Sequence, residues 1–235
     1  MRTSTKRSGA VYINKIEAAR RQLDAAIRMT FANEDELAIH TVAAAAYRIL
    51  RDILHNRGQH DLEELLRAGV HAYARELVDA NFSNDVTERL EDLGLFDLIL
   101  PIAQTLHEAG TPDSLDYMSL RIPDNWKIGH WRSMSQAAGY LKHADRNEEQ
   151  LLSLGDIDND TLMIHACGSY AMATHRPTAE MIVFHIFWAA SRGIREGLEP
   201  ETAEIADWLS KRSPSRQRSA CARFVRLSKK GQFSI

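Results

Sequence analysis

Three residues of one amphipathic segment could act together on a phosphate ester. Arg48 and His55 lie seven residues apart, and Arg51 lies four residues before His55. An α-helix turns about 100° per residue, so seven residues bring a side chain back to within about 20° of its starting direction. Arginine binds phosphate with a fixed fork of donors, and histidine transfers protons near neutral pH. Arg48, Arg51 and His55 are therefore candidate catalytic residues for metal-independent RNA cleavage.

The same segment also has a purely structural interpretation. Every amphipathic helix turns a polar face to solvent, and here His40 and Tyr47 lie close to that face. The apolar positions that predict the opposite, buried face are Val42, Ala45, Ala46, Ile49 and Ile53. Under this interpretation Arg48 forms a surface ion pair with Asp52, four residues later.

The segment resembles the higher-eukaryote-and-prokaryote nucleotide-binding (HEPN) superfamily. The resemblance covers residues 12–58 and is carried by two amphipathic helices, the run AAAAYR at 43–48 and the closing LHNRG at 54–58. Members are small helical domains; many are dimeric ribonucleases of toxin–antitoxin and phage-defence systems, and others are binding modules without catalysis. Their signature is an arginine followed after four to six residues by a histidine, which Arg48 and His55 match. The residue after the arginine is usually polar, whereas here it is Ile49.

A second candidate site lies at the end of a helix predicted for 131–144. It combines Lys142, His143, Asp145 and Arg146. A helix C-terminus favours cations, which supports a protonated His143. His143 and Asp145 could share a metal or act as a base and its orienting partner; alternatively, the cluster caps the helix. The Lys-His-Ala-Asp segment is similar to one in uncharacterised helical bacterial proteins, some of them HEPN-like.

Charge is distributed very unevenly along the 235 residues, although the net charge is only −3. All acidic residues lie within 11–210, and the last 25 residues carry eight basic residues and no acid. Such a segment can neutralise phosphates, so we expect it to bind RNA or another anionic partner. The candidate binding residues are Arg216, Arg218, Arg223 and Arg226. The alternative is a solvated tail that folds back on the acidic body.

Known metal and cofactor motifs do not match the chain. The aspartates at 156, 158 and 160 alternate as in a calcium loop, but the positions of the required glycine and glutamate hold Thr161 and Cys167. Asp160 is therefore interpreted as the N-cap of the next helix. There is no glycine-rich phosphate loop and no zinc-binding motif, so we expect no metal and no cofactor.

The periodicity of apolar residues predicts an all-α protein, a single bundle of about eight helices. We expect a helical domain at 11–210 and a basic C-terminal tail at 211–235. The first two helices form a hairpin in which Asn33 caps the second helix, 110–129 is a long loop, and Pro101 kinks or breaks a helix. The apolar segment 181–190 is expected to be the central helix.

No apolar run is long enough to cross a membrane, and no secretion signal is evident, so we expect a cytoplasmic protein without membrane contact. The function that these patterns favour is a non-catalytic, partner-binding helical protein. The resemblance implies a toxin–antitoxin or phage-defence setting and a homodimer. The alternative is a HEPN-like ribonuclease that uses the Arg48 and His55 pair.

Overall fold

The structure of the protein, a computed structural model, describes residues 12–92, 94–109, 122, 124–142, 149, 151–194 and 198–230. Across these ranges the chain is all-α, with ten α-helices and no strand, which confirms the predicted fold class. The helices are α1 (Lys15–Ala32), α2 (Glu36–Asn56), α3 (Asp61–Asp79), α4 (Asn84–Asp92), α5 (Phe96–Ala109), α6 (Asp124–Lys142), α7 (Asn159–Thr174), α8 (Ala179–Arg192), α9 (Pro200–Ser210) and α10 (Pro214–Lys229). None of them is long and apolar enough to span a bilayer.

Helices α1 and α2 form the predicted hairpin, but the residues that cap them differ from the prediction. Asn33 ends α1 in the left-handed conformation, with φ of 56°, and its N–H bonds to carbonyl oxygens of the last turn. Asparagine tolerates this conformation better than most residues. The α2 N-cap is Asp35, whose carboxylate accepts a hydrogen bond from the Ala38 N–H at 3.0 Å. The assignment of Asn33 as the second helix's cap was therefore wrong.

Seven helices, α1, α2 and α6 to α10, share the main hydrophobic core. Leu23 of α1, Leu50 of α2, Met163 of α7 and Phe184 of α8 are all fully buried within it. Helix α8 is buried on several sides, as its apolar sequence predicts, through Met181, Val183, Phe184, Ile186, Phe187 and Ala190. Its internal histidine, His185, is exposed.

Helices α3, α4 and α5 pack around a second, smaller apolar cluster. Leu77, Leu90 and Ile99 contribute one fully buried side chain from each helix. Pro101 lies inside α5, which continues through it from Phe96 to Ala109 instead of breaking. Proline removes one backbone donor, so the continuity of α5 depends on its packing in this cluster.

The buried face of α2 is rotated from the predicted one. The buried residues are Ile39, His40, Ala43, Ala46, Tyr47, Leu50 and Leu54, whereas Val42, Ala45, Ile49 and Ile53 are only half-buried. Helix α2 packs against both α1 and α7, so its buried face is wider than a single stripe. His40 and Tyr47 therefore belong to the core, and their placement beside the polar face was wrong.

Two segments for which no helix was predicted contain helix. Residues 124–129 of the predicted loop belong to α6, while 110–121 and 123 lie outside the described residues. In the basic segment, 214–229 form α10, whose Cys221 and Val225 are buried in the main core. This basic segment is therefore an integral helix of the fold over most of its length.

Candidate nucleic-acid interface

The α2 surface is defined here as Arg48, Arg51 and His55. Arg48 and His55 are exposed, and the helix predicted from periodicity places them two turns apart on one side. The half-buried Arg51 points elsewhere, because its guanidinium stacks 4.3 Å from the ring centroid of Trp131 on α6. Only two of the three predicted catalytic side chains are therefore presented to solvent without such a contact.

The acid closest to these cations in sequence, Asp52, does not pair as predicted. Its carboxylate accepts from Arg51 Nη2 at 3.3 Å, and no described residue forms an ion pair with Arg48. The Asp52 carboxylate nevertheless offsets part of the positive charge of the α2 surface. The exposed side of α2 therefore carries charges of both signs.

Sequence reasoning missed a second histidine beside the α2 surface. The ring centroids of His55 and His60 lie 6.4 Å apart, with the rings at 66°. The turn after α2 produces this proximity, because Gly58 adopts a φ of 72° and reverses the chain. Glycine two residues past a helix end was visible in the sequence, and it was the one signal that could have brought His60 to attention.

His40 makes a structural contact in the interface between α2 and α7. The Asn159 amide donates from Nδ2 to the Glu36 carbonyl at 3.0 Å, so its Oδ1 accepts from His40 Nδ1, also at 3.0 Å. Burial lowers the pKa of His40 below its ordinary value. A neutral, hydrogen-bonded histidine here joins two core helices.

The second predicted site is described only at its first residue. Lys142 is exposed at the end of α6, and His143, Asp145 and Arg146 lie outside the described residues. The proposed roles of these three residues stay predictions.

The alternating aspartates serve α7 and a neighbouring arginine. Asp158 caps α7 through a hydrogen bond from the Thr161 N–H at 2.9 Å, so the assignment of this cap to Asp160 was wrong. Both Asp158 and Asp160 lie 3.9 Å from Arg192. Burial raises the pKa of Asp160, and the charge of Arg192 opposes that shift. Within the described part of the chain, no group of three or more His, Cys, Asp or Glu side chains is arranged to hold a metal ion.

The α10 basic face is defined here as Arg216, Arg223 and Arg226. All three side chains are exposed, and their spacing places them within about 80° of one another around the helix. No described acid pairs with any of them; Arg226 Nε donates to the Ala222 carbonyl at 3.2 Å. Arg218 lies on the opposite side, where its charge acts on Asp160. Three of the four predicted binding residues thus share one outward face.

Helix α10 is anchored by its other side. Gln217, Cys221 and Val225 are buried, and Lys229 Nζ lies 2.5 Å from an oxygen of the buried Glu180. Arg28 Nη1 donates to the same carboxylate at 2.9 Å. Burial raises the pKa of Glu180, but the hydrogen bonds from Lys229 and Arg28 outweigh it and hold that pKa below its ordinary value. The basic face is therefore held in a fixed orientation.

Comparison with known proteins gives no relative for this chain. No family model matches it, and neither the curated proteins nor the solved structures include a significant match.

Proposed function

We propose that the protein is a non-catalytic helical binding module that contacts the phosphate backbone of RNA through the α10 basic face. The observation that carries this proposal is the group of three exposed arginines on one side of α10 with no described acid paired to them. Cations that neutralise phosphates release condensed counterions, which drives binding. The buried side of α10 fixes the backbone that carries these cations before the ligand arrives, so no helix has to fold on binding.

A nucleic acid fits this surface better than a membrane does. A helix that binds a membrane surface inserts its apolar face among the lipids. The apolar face of α10 is already used, since Cys221 and Val225 are 0% and 3% exposed in the main core. What α10 offers to a partner is positive charge and hydrogen-bond donors, which suits phosphate.

The test measures binding of a fluorescently labelled 25-nucleotide RNA by polarisation, in EDTA at about 100 mM salt. The variant Arg216→Ser/Arg223→Ser/Arg226→Ser should weaken binding about tenfold or more. The matched control, Arg48→Ser/Arg132→Ser/Lys142→Ser, removes three exposed charges from α2 and α6 and should change affinity less than threefold. Equal losses in both triple variants, or preferential binding of the wild type to anionic vesicles, would contradict the proposal.

A second candidate function is metal-independent RNA cleavage at the α2 surface. It is supported by the exposure of Arg48 and His55 on one side of α2 and by the position of His60 beside His55. Cleavage of this kind needs a base and an acid, which two histidines supply, while an arginine holds the phosphate. Setting it within toxin–antitoxin or phage defence rests on the HEPN resemblance alone.

Incubation with total RNA in EDTA tests the second candidate. Cleavage should disappear in His55→Ala, fall in His60→Ala, and persist in His107→Gln, which alters an exposed histidine beside Phe82, past the end of α3 opposite to His60. Intact RNA with the wild type would leave binding as the better-supported function.

We further propose that the protein works in the cytoplasm, where its two buried free thiols stay reduced.

A further inference from the structure

We infer that the corner between α9 and α10 is a base-stacking platform, and that the ligand of the α10 basic face is single-stranded nucleic acid. This inference rests on the proposed function and specifies its ligand class. It comes from three residues, Trp208, Arg212 and Phe224. We call them the α9–α10 platform.

The platform is a stack of planar groups at the surface. Trp208 is 43% exposed, and the guanidinium carbon of Arg212 lies 3.3 Å from its ring centroid. The rings of Trp208 and Phe224 lie 6.0 Å apart at 45°. Bases stack on aromatic rings and on arginine guanidinium planes alike. The exposed part of this stack therefore offers a flat partner for an unpaired base.

Backbone contacts fix the position of Arg212. Its guanidinium donates to the Trp208 carbonyl, and its own N–H donates to the Leu209 carbonyl at 2.9 Å. The buried Gln217 donates from Nε2 to the Arg212 carbonyl at 3.1 Å. A stacking group held this firmly loses little side-chain entropy on binding.

Two acids of α9 lie beside Trp208, Asp207 and Glu204, and the first of them is neutralised locally. Asp207 precedes Trp208, and its carboxylate lies 2.5 Å from Lys211 Nζ. Glu204, which lies one turn before Trp208 on the same side of α9, is an exposed acid, and the cations of Arg212 and of the α10 basic face oppose its charge.

The platform borders the α10 basic face. Phe224 directly follows Arg223 and lies about a quarter turn from it around the helix. A strand whose phosphates contact Arg216 and Arg223 would thus bring its bases to the side of Trp208. In a duplex the bases are paired and stacked inside, so only a single strand can use both surfaces.

The experiment compares labelled 15-nucleotide single-stranded RNA and DNA of one sequence, the corresponding duplexes, and inorganic polyphosphate as a base-free competitor. The variants are Trp208→Leu and the ring-preserving Trp208→Phe. Trp188→Leu is the matched control, because Arg192 also covers the Trp188 ring, at 5.1 Å, but that arginine lies near two aspartates. Circular dichroism checks that each variant is folded.

Trp208→Leu should weaken binding of both single strands about tenfold, with Trp208→Phe within threefold of wild type. Duplex and polyphosphate affinities should stay unchanged, and Trp188→Leu should behave as wild type. An unchanged single-strand affinity in Trp208→Leu, or an equal loss for polyphosphate, would overturn the platform. If the α10 triple-serine variant still loses RNA binding in that case, the proposed function stands; if it binds like the wild type, the proposed function fails as well.

Discussion

The α2 surface and the α10 basic face both present arginines at helical spacing, yet their surroundings differ. On α2, the Arg51 guanidinium stacks on the Trp131 ring and forms an ion pair with Asp52. One of the two arginines of the α2 surface therefore already has an acidic and an aromatic partner. On α10, the three arginines of the basic face have no described acidic partner. The two faces thus differ in the local presence of acids, and under the proposed function this difference decides which face binds a polyanion.

The two helices also differ in how deeply they enter the core. Helix α2 packs between α1 and α7, whereas α10 contacts mainly α8 and α1. Helix α2 therefore uses two sides for packing, and only its remaining side is exposed. Helix α10 combines one anchored side with one exposed side that carries the three arginines of the basic face.

Removing core side chains from the two helices should give the largest effects. Leu50→Ala in α2 should lower the free energy of unfolding by about 3 kcal/mol, because a fully buried leucine is lost and a cavity remains. Val225→Ala in α10 removes a smaller side chain and should cost about 2 kcal/mol. Urea unfolding measures both values. A greater loss of unfolding free energy for Val225→Ala would contradict the inference that α2 enters the core more deeply than α10.

Placing an acid on α10 should make it resemble α2. Ser219 is exposed and lies three residues after Arg216 and four before Arg223. Ser219→Glu should therefore pair with these arginines and weaken RNA binding about tenfold, without removing any cation. Ser219→Gln is the control for side-chain size, and it should bind within twofold of wild type. Equal RNA affinities of the two variants would show that the local presence of acids does not explain the difference between the α2 surface and the α10 basic face.

The buried sides of the two helices should respond differently to acid. Burial lowers the pKa of His40 on α2 below the ordinary value of 6.5. Burial raises the pKa of Cys221 on α10 to about 12, so this thiol does not titrate in the acid range. As pH falls through 6.5, the unfolded chain binds a proton that folded His40 does not, so the free energy of unfolding decreases. Wild type should therefore lose more stability than His40→Gln between about pH 7.5 and 5.5 in urea unfolding. Parallel profiles would refute the contribution of His40.

Removing the acid from α2 should have the smallest effect. Asp52→Asn frees Arg51 from its ion pair and should raise RNA affinity about twofold, because Arg51 stays stacked on Trp131. Asp85→Asn removes the same charge from α4 and serves as the control. A tenfold gain specific to Asp52→Asn would show that the α2 surface is a binding site as strong as α10.

Helix positions were largely predictable from the sequence, because apolar periodicity is a local property. The apolar run at 181–190 became the buried helix α8, and the period of α2 was also correct. The rotation of α2 was not predictable, because it depends on α7, more than a hundred residues away. The choice between Asp158 and Asp160 as a cap depended on which aspartate could reach the Thr161 N–H.

The candidate site was predicted in part. The absence of acids after 210 identified the arginines of α10, and the helical spacing of Arg216 and Arg223 could be read directly. Burial of the opposite side of α10 came only from its packing on the main core. The pairing of Trp208 with Arg212, four residues apart, was within reach of sequence reasoning, but its contact with Phe224 required the turn between α9 and α10.

The most direct test of the central claim is the salt dependence of RNA binding. The logarithm of the association constant falls with the logarithm of salt concentration, by about 0.7 per phosphate neutralised on a single strand. The Arg216→Ser/Arg223→Ser/Arg226→Ser variant should therefore show a slope about 2 smaller in magnitude than the wild type, while the Arg48→Ser/Arg132→Ser/Lys142→Ser variant keeps the wild-type slope. Identical slopes for wild type and the α10 variant would contradict the account.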